Sequence, residues 1–113
     1  MSTLSSHALD TATGKPASKL PAVLCIQEDN GWKELARSAT NEDGRIAWTP
    51  PSDDGFEAGI YQLRFDTSAY FKAMDVNGFY PYVDVVFTIT EGSEHYHVPL
   101  LISPFGYSTY RGS

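Results

Sequence analysis

Residues 95–102 have the sequence HYHVPLLI, in which apolar side chains recur at every second position. Successive side chains of a β-strand point to opposite faces, so this spacing predicts a strand with one face on a hydrophobic core. The apolar face carries Tyr96, Val98, Leu100 and Ile102. The other face carries His95 and His97, which indicate either two solvent-exposed histidines or the surface of a site.

Strand-like runs of the same kind recur along the whole chain, with turn sequences such as residues 41–44 (NEDG) between them. We predict strands at about 4–9, 20–27, 32–40, 45–49, 59–66, 82–90, 94–102 and 105–110. A short helix is predicted over about 68–74, capped by Thr67 or Ser68. Seven or eight short antiparallel strands and one helix indicate an all-β fold, a two-sheet antiparallel β-sandwich.

The composition limits the classes of function. The 113 residues are expected to form a single domain over residues 1–113. The formal net charge is −6 and the Lys and Arg residues are scattered singly, which argues against nucleic acid or an anionic membrane as a partner. Cys25 is the only cysteine, so no intrachain disulfide can form, and we predict it to be buried. No membrane-spanning run or secretory signal is visible, so we expect a cytoplasmic location, or a peroxisomal one in a eukaryote.

A few polar side chains are candidates for a site. The spacing of His95 and His97 suits zinc, but the only other histidine is His7, and without a clear third ligand no metal is expected. Arg45 directly follows the turn at residues 41–44, where it either pairs with a neighbouring acidic residue or binds a planar, anionic ligand. The sequence contains no nucleotide-binding loop, nucleophile elbow or zinc-protease motif, so these residues alone do not specify a reaction.

Three segments together resemble the motifs of one family. They are residues 4–10 (LSSHALD) with 13–17 (TGKPA), residues 41–45 (NEDGR), and residues 95–113 (HYHVPLLISPFGYSTYRGS). On these segments the whole chain resembles the 5-hydroxyisourate hydrolases, transthyretin-like enzymes of urate degradation. One departure is residues 5–8 (SSHA), where the family more often has Thr-Thr-His-Val, and this change keeps the histidine.

The resemblance implies a fold, an assembly and a reaction. It implies a transthyretin-like sandwich of two four-stranded sheets, and a homotetramer with active sites in a channel between stacked dimers. The implied substrate is 5-hydroxyisourate, which is hydrolysed at a ring amide to 2-oxo-4-hydroxy-4-carboxy-5-ureidoimidazoline. No metal or organic cofactor is expected. The alternative is a transthyretin-type carrier, which binds a small molecule in such a channel without catalysis.

The resemblance also implies roles for residues of this chain. Catalytic roles are implied for His7, Arg45, His97 and Ser113, and substrate binding for His7, Arg45 and Tyr110. One of the two histidines would activate water, and the other would orient the water or protonate the leaving nitrogen. Arg45 would bind the substrate oxygens and stabilise charge that develops on the attacked amide.

The end of the sequence is expected to belong to the site. Residues 103–110 are rich in aromatic and hydroxyl side chains, so we expect an ordered strand there rather than a disordered tail. The Tyr110 hydroxyl would contact the ring of the substrate, and Ser113 would contribute its hydroxyl and the terminal carboxylate. Arg111 is expected to have a structural role instead, holding that carboxylate.

Overall fold

The computed structural model describes residues 1–113 and contains nine strands and one helix. The elements are β1 (Thr3–Asp10), β2 (Lys15–Pro16), β3 (Pro21–Glu28), β4 (Gly31–Ala39), β5 (Arg45–Trp48), β6 (Gly59–Phe65), α1 (Thr67–Lys72), β7 (Val83–Ile89), β8 (His95–Ser103) and β9 (Gly106–Thr109). Each predicted strand is present, with ends within one residue of those expected. The additional strand is β2, two residues long, in the segment between the first two predicted strands.

The strands form two sheets that confirm the predicted sandwich. The second sheet has the order β4-β3-β6-β7. The first has the order β2-β1-β8-β9, and β5 also pairs with β1. Because β8 pairs with the whole of β1, strands β2 and β5 share the opposite edge of β1. The first sheet therefore has five strands, where four were expected, because two short strands share one edge.

The pairing of β1 with β8 is parallel, whereas the other strand pairs are antiparallel. This pair is the exception in a predominantly antiparallel sandwich, because no hairpin joins these two strands. Most of the chain lies between them, as a parallel pair requires. The register places Thr3 beside His95 and Ser5 beside His97. This pairing brings polar residues from the two ends of the sequence onto one face of the sheet.

The hydrophobic core lies between the two sheets. The face predicted from residues 95–102 is confirmed, since Tyr96, Val98, Leu100 and Ile102 are all buried. The second sheet contributes alternate residues of β3 and β6, including Leu24, Tyr61, Leu63 and Phe65. Full burial of each large apolar side chain stabilises the fold by about 1.5–3 kcal/mol, so this single core holds the domain without a disulfide.

Cys25 does not belong to the core, and its predicted burial was wrong. Leu24 and Ile26 are the buried neighbours on β3, so alternation turns Cys25 to the outer face of the second sheet, where it is half-buried. Partial burial raises the pKa of its thiol, and the nearby Glu34 carboxylate adds to that rise. The thiol is therefore largely protonated at neutral pH and is a poor nucleophile.

The helix α1 fixes the far end of β1. Asp66, rather than the predicted Thr67 or Ser68, caps it by accepting a hydrogen bond from the Ala69 N–H at 3.0 Å. The Tyr70 hydroxyl then donates to Oδ2 of the buried Asp10 at 2.8 Å. This contact anchors β1, which carries His7, to the rest of the fold. With six residues, α1 is far too short to span a lipid bilayer.

Candidate active site

Three neighbouring strands of the first sheet bring His7, Arg45 and His97 together. On one side of β1, His7 is paired with Arg45 of β5, and on the other side Ser5 is paired with His97 of β8. Directly paired residues share a face, as do residues two apart on a strand, so all four lie on the outer face. The imidazole centroids of His7 and His97 are 6.4 Å apart. The residues singled out in three separate segments of the sequence are therefore neighbours in the fold.

The turn at residues 41–44 holds Arg45 beside His7. Its Asn41 side-chain oxygen accepts hydrogen bonds from the backbone N–H groups of Asp43 at 2.9 Å and Arg45 at 3.0 Å. The Gly44 carbonyl accepts a hydrogen bond from the Ala8 N–H at 2.7 Å, and Gly44 has a φ of 75°. A Cβ at Gly44 would overlap with the Ala8 carbonyl oxygen, so this close approach to β1 requires glycine.

The guanidinium of Arg45 forms no ion pair in the structure, so the first of its two alternatives, pairing with a neighbouring acidic residue, is not observed. Arg45 is exposed and lies at the edge of the face that carries the two histidines. Its donors are therefore free to bind a ligand with carbonyl or anionic oxygens, which match the planar fork of a guanidinium.

The imidazole of His97 is held in one orientation and is kept largely uncharged. Its Nδ1 lies 2.7 Å from the Ser5 hydroxyl. Its pKa is lowered, first because the ring is partly buried and then because Arg45, His7 and His95 repel its charged form. Nε2 forms no hydrogen bond within the chain, and no buried side-chain nitrogen or oxygen lacks a partner, so Nε2 is open to solvent. A neutral imidazole with Nδ1 occupied and Nε2 open can accept a proton there.

A proline in β8 explains how the last residues reach His97. Pro99 has no N–H to donate, and β9 ends at Thr109, which is paired with Leu100, one residue before the position that would face Pro99. The Thr109 hydroxyl donates to the Pro99 carbonyl at 2.7 Å. The chain then continues in the same register, because the Gly112 N–H donates to the His97 carbonyl at 2.9 Å. Gly112 therefore lies directly against the His97 ring and covers one side of it.

The other predicted residues of the final segment lie further out. Tyr110 is 60% exposed, and neither it nor the exposed Ser113 has a side-chain hydrogen bond within the chain. Arg111 does not hold the terminal carboxylate, so that expectation was wrong. Its guanidinium lies 4.7 Å from the centre of the Tyr96 ring and 3.6 Å from the Glu94 carboxylate. Alternation sends Arg111 to the face opposite His97, which explains these contacts.

No three His, Cys, Asp or Glu side chains come together in a way that could hold a metal ion. His95 and His97 have ring centroids 6.4 Å apart and nearly parallel planes, and each ring also has a nitrogen close to Ser5. Neither Ser5 nor Asn41 was among the residues predicted for the site. Their signals were weak, since a serine two residues before His7 and an asparagine in a turn are common features, and only the tertiary pairing gives them a role.

Replacing Gly112 with alanine is expected to lower turnover about 10²-fold while the fold is retained. The new Cβ would overlap with Cδ2 of His97 and lie 3.1 Å from Cγ of Pro99, so either the segment lifts or the imidazole tilts. A misplacement of about 1 Å at a reacting group can cost this much in rate. The matched control is Gly106→Ala, whose Cβ would have no neighbour closer than 3.8 Å. Equal turnover rates for the two variants, measured beside their melting curves, would show that Gly112 does not position His97.

Comparison with known proteins gives a consistent result. The model of the HIUase/Transthyretin family matches residues 4–112. A 5-hydroxyisourate hydrolase of Mus musculus is 49% identical over 115 residues, which cover 99% of this chain and 96% of the mouse protein. The solved 5-hydroxyisourate hydrolase of Klebsiella pneumoniae is 40% identical with a TM-score of 0.87, covering 100% of both chains. Transthyretin of Sparus aurata is 33% identical with a TM-score of 0.88, covering 96% of this chain and 95% of that one. The resemblance stated from the sequence and the transthyretin-like fold are both confirmed.

Proposed function

This chain belongs to the HIUase/transthyretin family, and from that premise we propose that it acts on 5-hydroxyisourate. It is an enzyme that hydrolyses 5-hydroxyisourate to 2-oxo-4-hydroxy-4-carboxy-5-ureidoimidazoline in urate degradation. The observation in the fold that carries this conclusion is the cluster of His7, Arg45 and His97 on the outer face of the first sheet. These side chains supply a proton acceptor, a proton donor and a fixed positive charge, which amide hydrolysis requires.

For the reaction itself, we propose that His97 is the general base. Water is a poor nucleophile at neutral pH, and a positioned base contributes about 10²–10⁴ in rate. In the proposed step, Nε2 of His97 takes a proton from water as the water oxygen bonds to the amide carbon. The lowered pKa of His97 supports this assignment because it keeps the imidazole unprotonated at pH 7.

Arg45 and His7 complete the proposed reaction. Arg45 would donate hydrogen bonds to the oxygen of the attacked amide, where negative charge develops as water adds. A donor of this kind is worth roughly 3–4 kcal/mol in the transition state. His7 would orient the water or deliver a proton to the ring nitrogen as the carbon–nitrogen bond breaks. We propose that Tyr110 and Ser113, exposed beside this face, contact the bound substrate through their hydroxyl groups.

The direct test couples urate oxidase to this protein. Urate oxidase generates the unstable substrate, and ultraviolet absorbance reports how fast that substrate disappears. The protein is expected to accelerate the decay far above the spontaneous rate measured without it. The alternative predicted from the sequence, a carrier, would bind an aromatic small molecule and leave the decay rate unchanged. A histidine and arginine cluster is a poor lining for an apolar binding channel, which argues against the carrier.

We also propose that the protein forms a homotetramer with the site in its channel. Strands β7 and β9 each form one edge of their sheets. On β7, Val86 is 56% exposed and lines, with Tyr110, a groove of about 320 Å³. Free strand edges and exposed apolar side chains favour association, and the occupant we propose is a second copy of this chain. Sedimentation velocity at micromolar concentration is expected to show a four-chain species, and a monomer at every concentration would contradict the assembly.

A further inference from the structure

A continuous chain of hydrogen bonds lies behind His97, on the side away from its open Nε2. Nδ1 of His97 is 2.7 Å from the Ser5 hydroxyl, and the same hydroxyl is 3.0 Å from Nε2 of His95. Nδ1 of His95 is in turn 2.6 Å from the Thr3 hydroxyl. The four side chains alternate between β1 and β8, with Thr3 beside His95 and Ser5 beside His97. The parallel register of these two strands creates this arrangement.

We propose that this series of hydrogen bonds is a proton relay. In it, Ser5 and His95 are positioning residues that set the tautomer of His97, and His95 takes up its charge during turnover. The proposal rests on the proposed function, because it assigns a further role to residues around the same base. It adds two side chains, Ser5 and His95, to the residues that the reaction uses. Neither is required to touch the substrate.

The donors and acceptors of the relay can be arranged so that every hydrogen bond donates in the direction from His97 to Thr3. This arrangement leaves His97 ready to act as a base. The Nδ1–H of His97 donates to the Ser5 oxygen, and the Ser5 hydroxyl donates to Nε2 of His95. The Nδ1–H of His95 then donates to the Thr3 oxygen. The Ser5 oxygen has two partners, since it accepts from His97 and donates to His95, and the other bonded nitrogens and the Thr3 oxygen have one each. The lone pair of His97 Nε2 points away from this hydrogen-bond network. The tautomer of a histidine is set by the hydrogen bond that its other nitrogen makes.

The relay can also move the positive charge that forms on His97 during the reaction. When Nε2 of His97 accepts a proton from water, its Nδ1 proton passes to the Ser5 oxygen, and the Ser5 proton passes to Nε2 of His95. His97 is then neutral again with a proton on Nε2, and His95 carries the positive charge. In this cycle His7 orients the water, and His97 gives its Nε2 proton to the leaving nitrogen, at which point the two transfers reverse. The cycle consumes no proton and restores the starting state.

The surroundings of the two imidazoles favour this direction of transfer. His97 is partly buried and faces Arg45 and His7, so a positive charge on it is costly. His95 is exposed at the start of β8, where water solvates a positive charge. Moving the charge to His95 also takes it further along the sheet from Arg45 and His7, the residues proposed to act on the bound substrate. A relay that lowers the energy of the protonated intermediate is expected to raise kcat rather than substrate affinity.

The kinetic test compares two substitutions at one position. Ser5→Ala removes the hydroxyl, and kcat is expected to fall about 10-fold or more with KM little changed, as for loss of a hydrogen bond to a charged group. Ser5→Thr keeps the hydroxyl and is expected to retain most of kcat. His95→Gln can still accept a hydrogen bond from Ser5 but cannot carry the charge, so it is expected to lose about as much as Ser5→Ala. Ser38→Ala, an exposed serine of β4 in the other sheet, is the control for the serine substitution.

A second measurement reads the tautomer without substrate. Proton–nitrogen NMR of ¹⁵N-histidine protein, whose three imidazoles are assigned by single replacements, is expected to show His97 protonated on Nδ1 in the wild type and redistributed towards Nε2 in Ser5→Ala. A wild-type His97 protonated mainly on Nε2 would overturn the relay, as would wild-type kcat in both Ser5→Ala and His95→Gln. If the wild-type protein shows no turnover, the proposed function is overturned. The His97 tautomer would still show whether the hydrogen bonds of the relay point from His97 towards His95.

Discussion

Replacing His97 with alanine is expected to lower kcat by about 10²–10⁴-fold, with a smaller change in KM and an unchanged fold. The substitution removes the proposed proton acceptor, whose Nε2 is open to solvent and whose Nδ1 is held by Ser5. His97 lies on the outer face and its ring is not part of the core, so the sandwich should remain intact. Stopped-flow absorbance with substrate generated in place measures the rate, and circular dichroism checks the fold.

The outcome can separate a chemical role from a structural one. Removing the ring leaves space beside Gly112, which lies against it. Added imidazole is therefore expected to restore part of the lost rate, with a dependence on imidazole concentration that saturates. A variant that keeps wild-type kcat would contradict the assignment of His97 as the base. Loss of activity together with a lost β-sheet signal would instead assign His97 a structural role.

Alternation along single strands was sufficient to predict much of this protein. The core face of β8 followed from the spacing of its apolar residues, and the same spacing turned His97 to the opposite face. The positions of the strands followed from the turn residues between them. Such inferences succeed because strand geometry and turn chemistry are local, and each depends on fewer than ten consecutive residues.

The arrangement of the site could not be derived in this way. The parallel pairing of β1 with β8 joins the two ends of the sequence, and no local pattern specifies which strands become neighbours or in what register. The Ser5 to His97 contact depends on that register, since a shift by one residue would turn Ser5 to the other face. The resemblance to a family supplied His7 and Arg45 as partners of His97, which the residues alone had left open. Cys25 was misplaced because an alternating run does not say which of its two faces meets the core.

Replacing Arg45 with glutamine is expected to lower kcat/KM by about 10²–10³-fold, the usual cost of removing a donor that stabilises a developing oxyanion. It is also expected to move the acid limb of the pH–rate profile to higher pH. Partial burial of the ring is the main cause of the lowered pKa of His97, and the charge of Arg45 adds to it together with His7 and His95, so removing that charge lets the pKa rise. With a higher pKa, His97 is protonated at a higher pH on acidification, and the rate begins to fall sooner.

Arg45→Lys separates these two effects of the guanidinium. Lysine keeps the positive charge, so the acid limb should stay close to its wild-type position. It lacks the planar fork of donors, so kcat/KM should still fall, though less than in the glutamine variant. The control is Arg37→Gln, an exposed arginine of β4 in the other sheet, where neither the rate nor the pH profile should change. If the glutamine variant loses much of its rate but its acid limb does not move, the titration of a group other than His97 produces that limb. His7, the other imidazole at the site, would then be the candidate base.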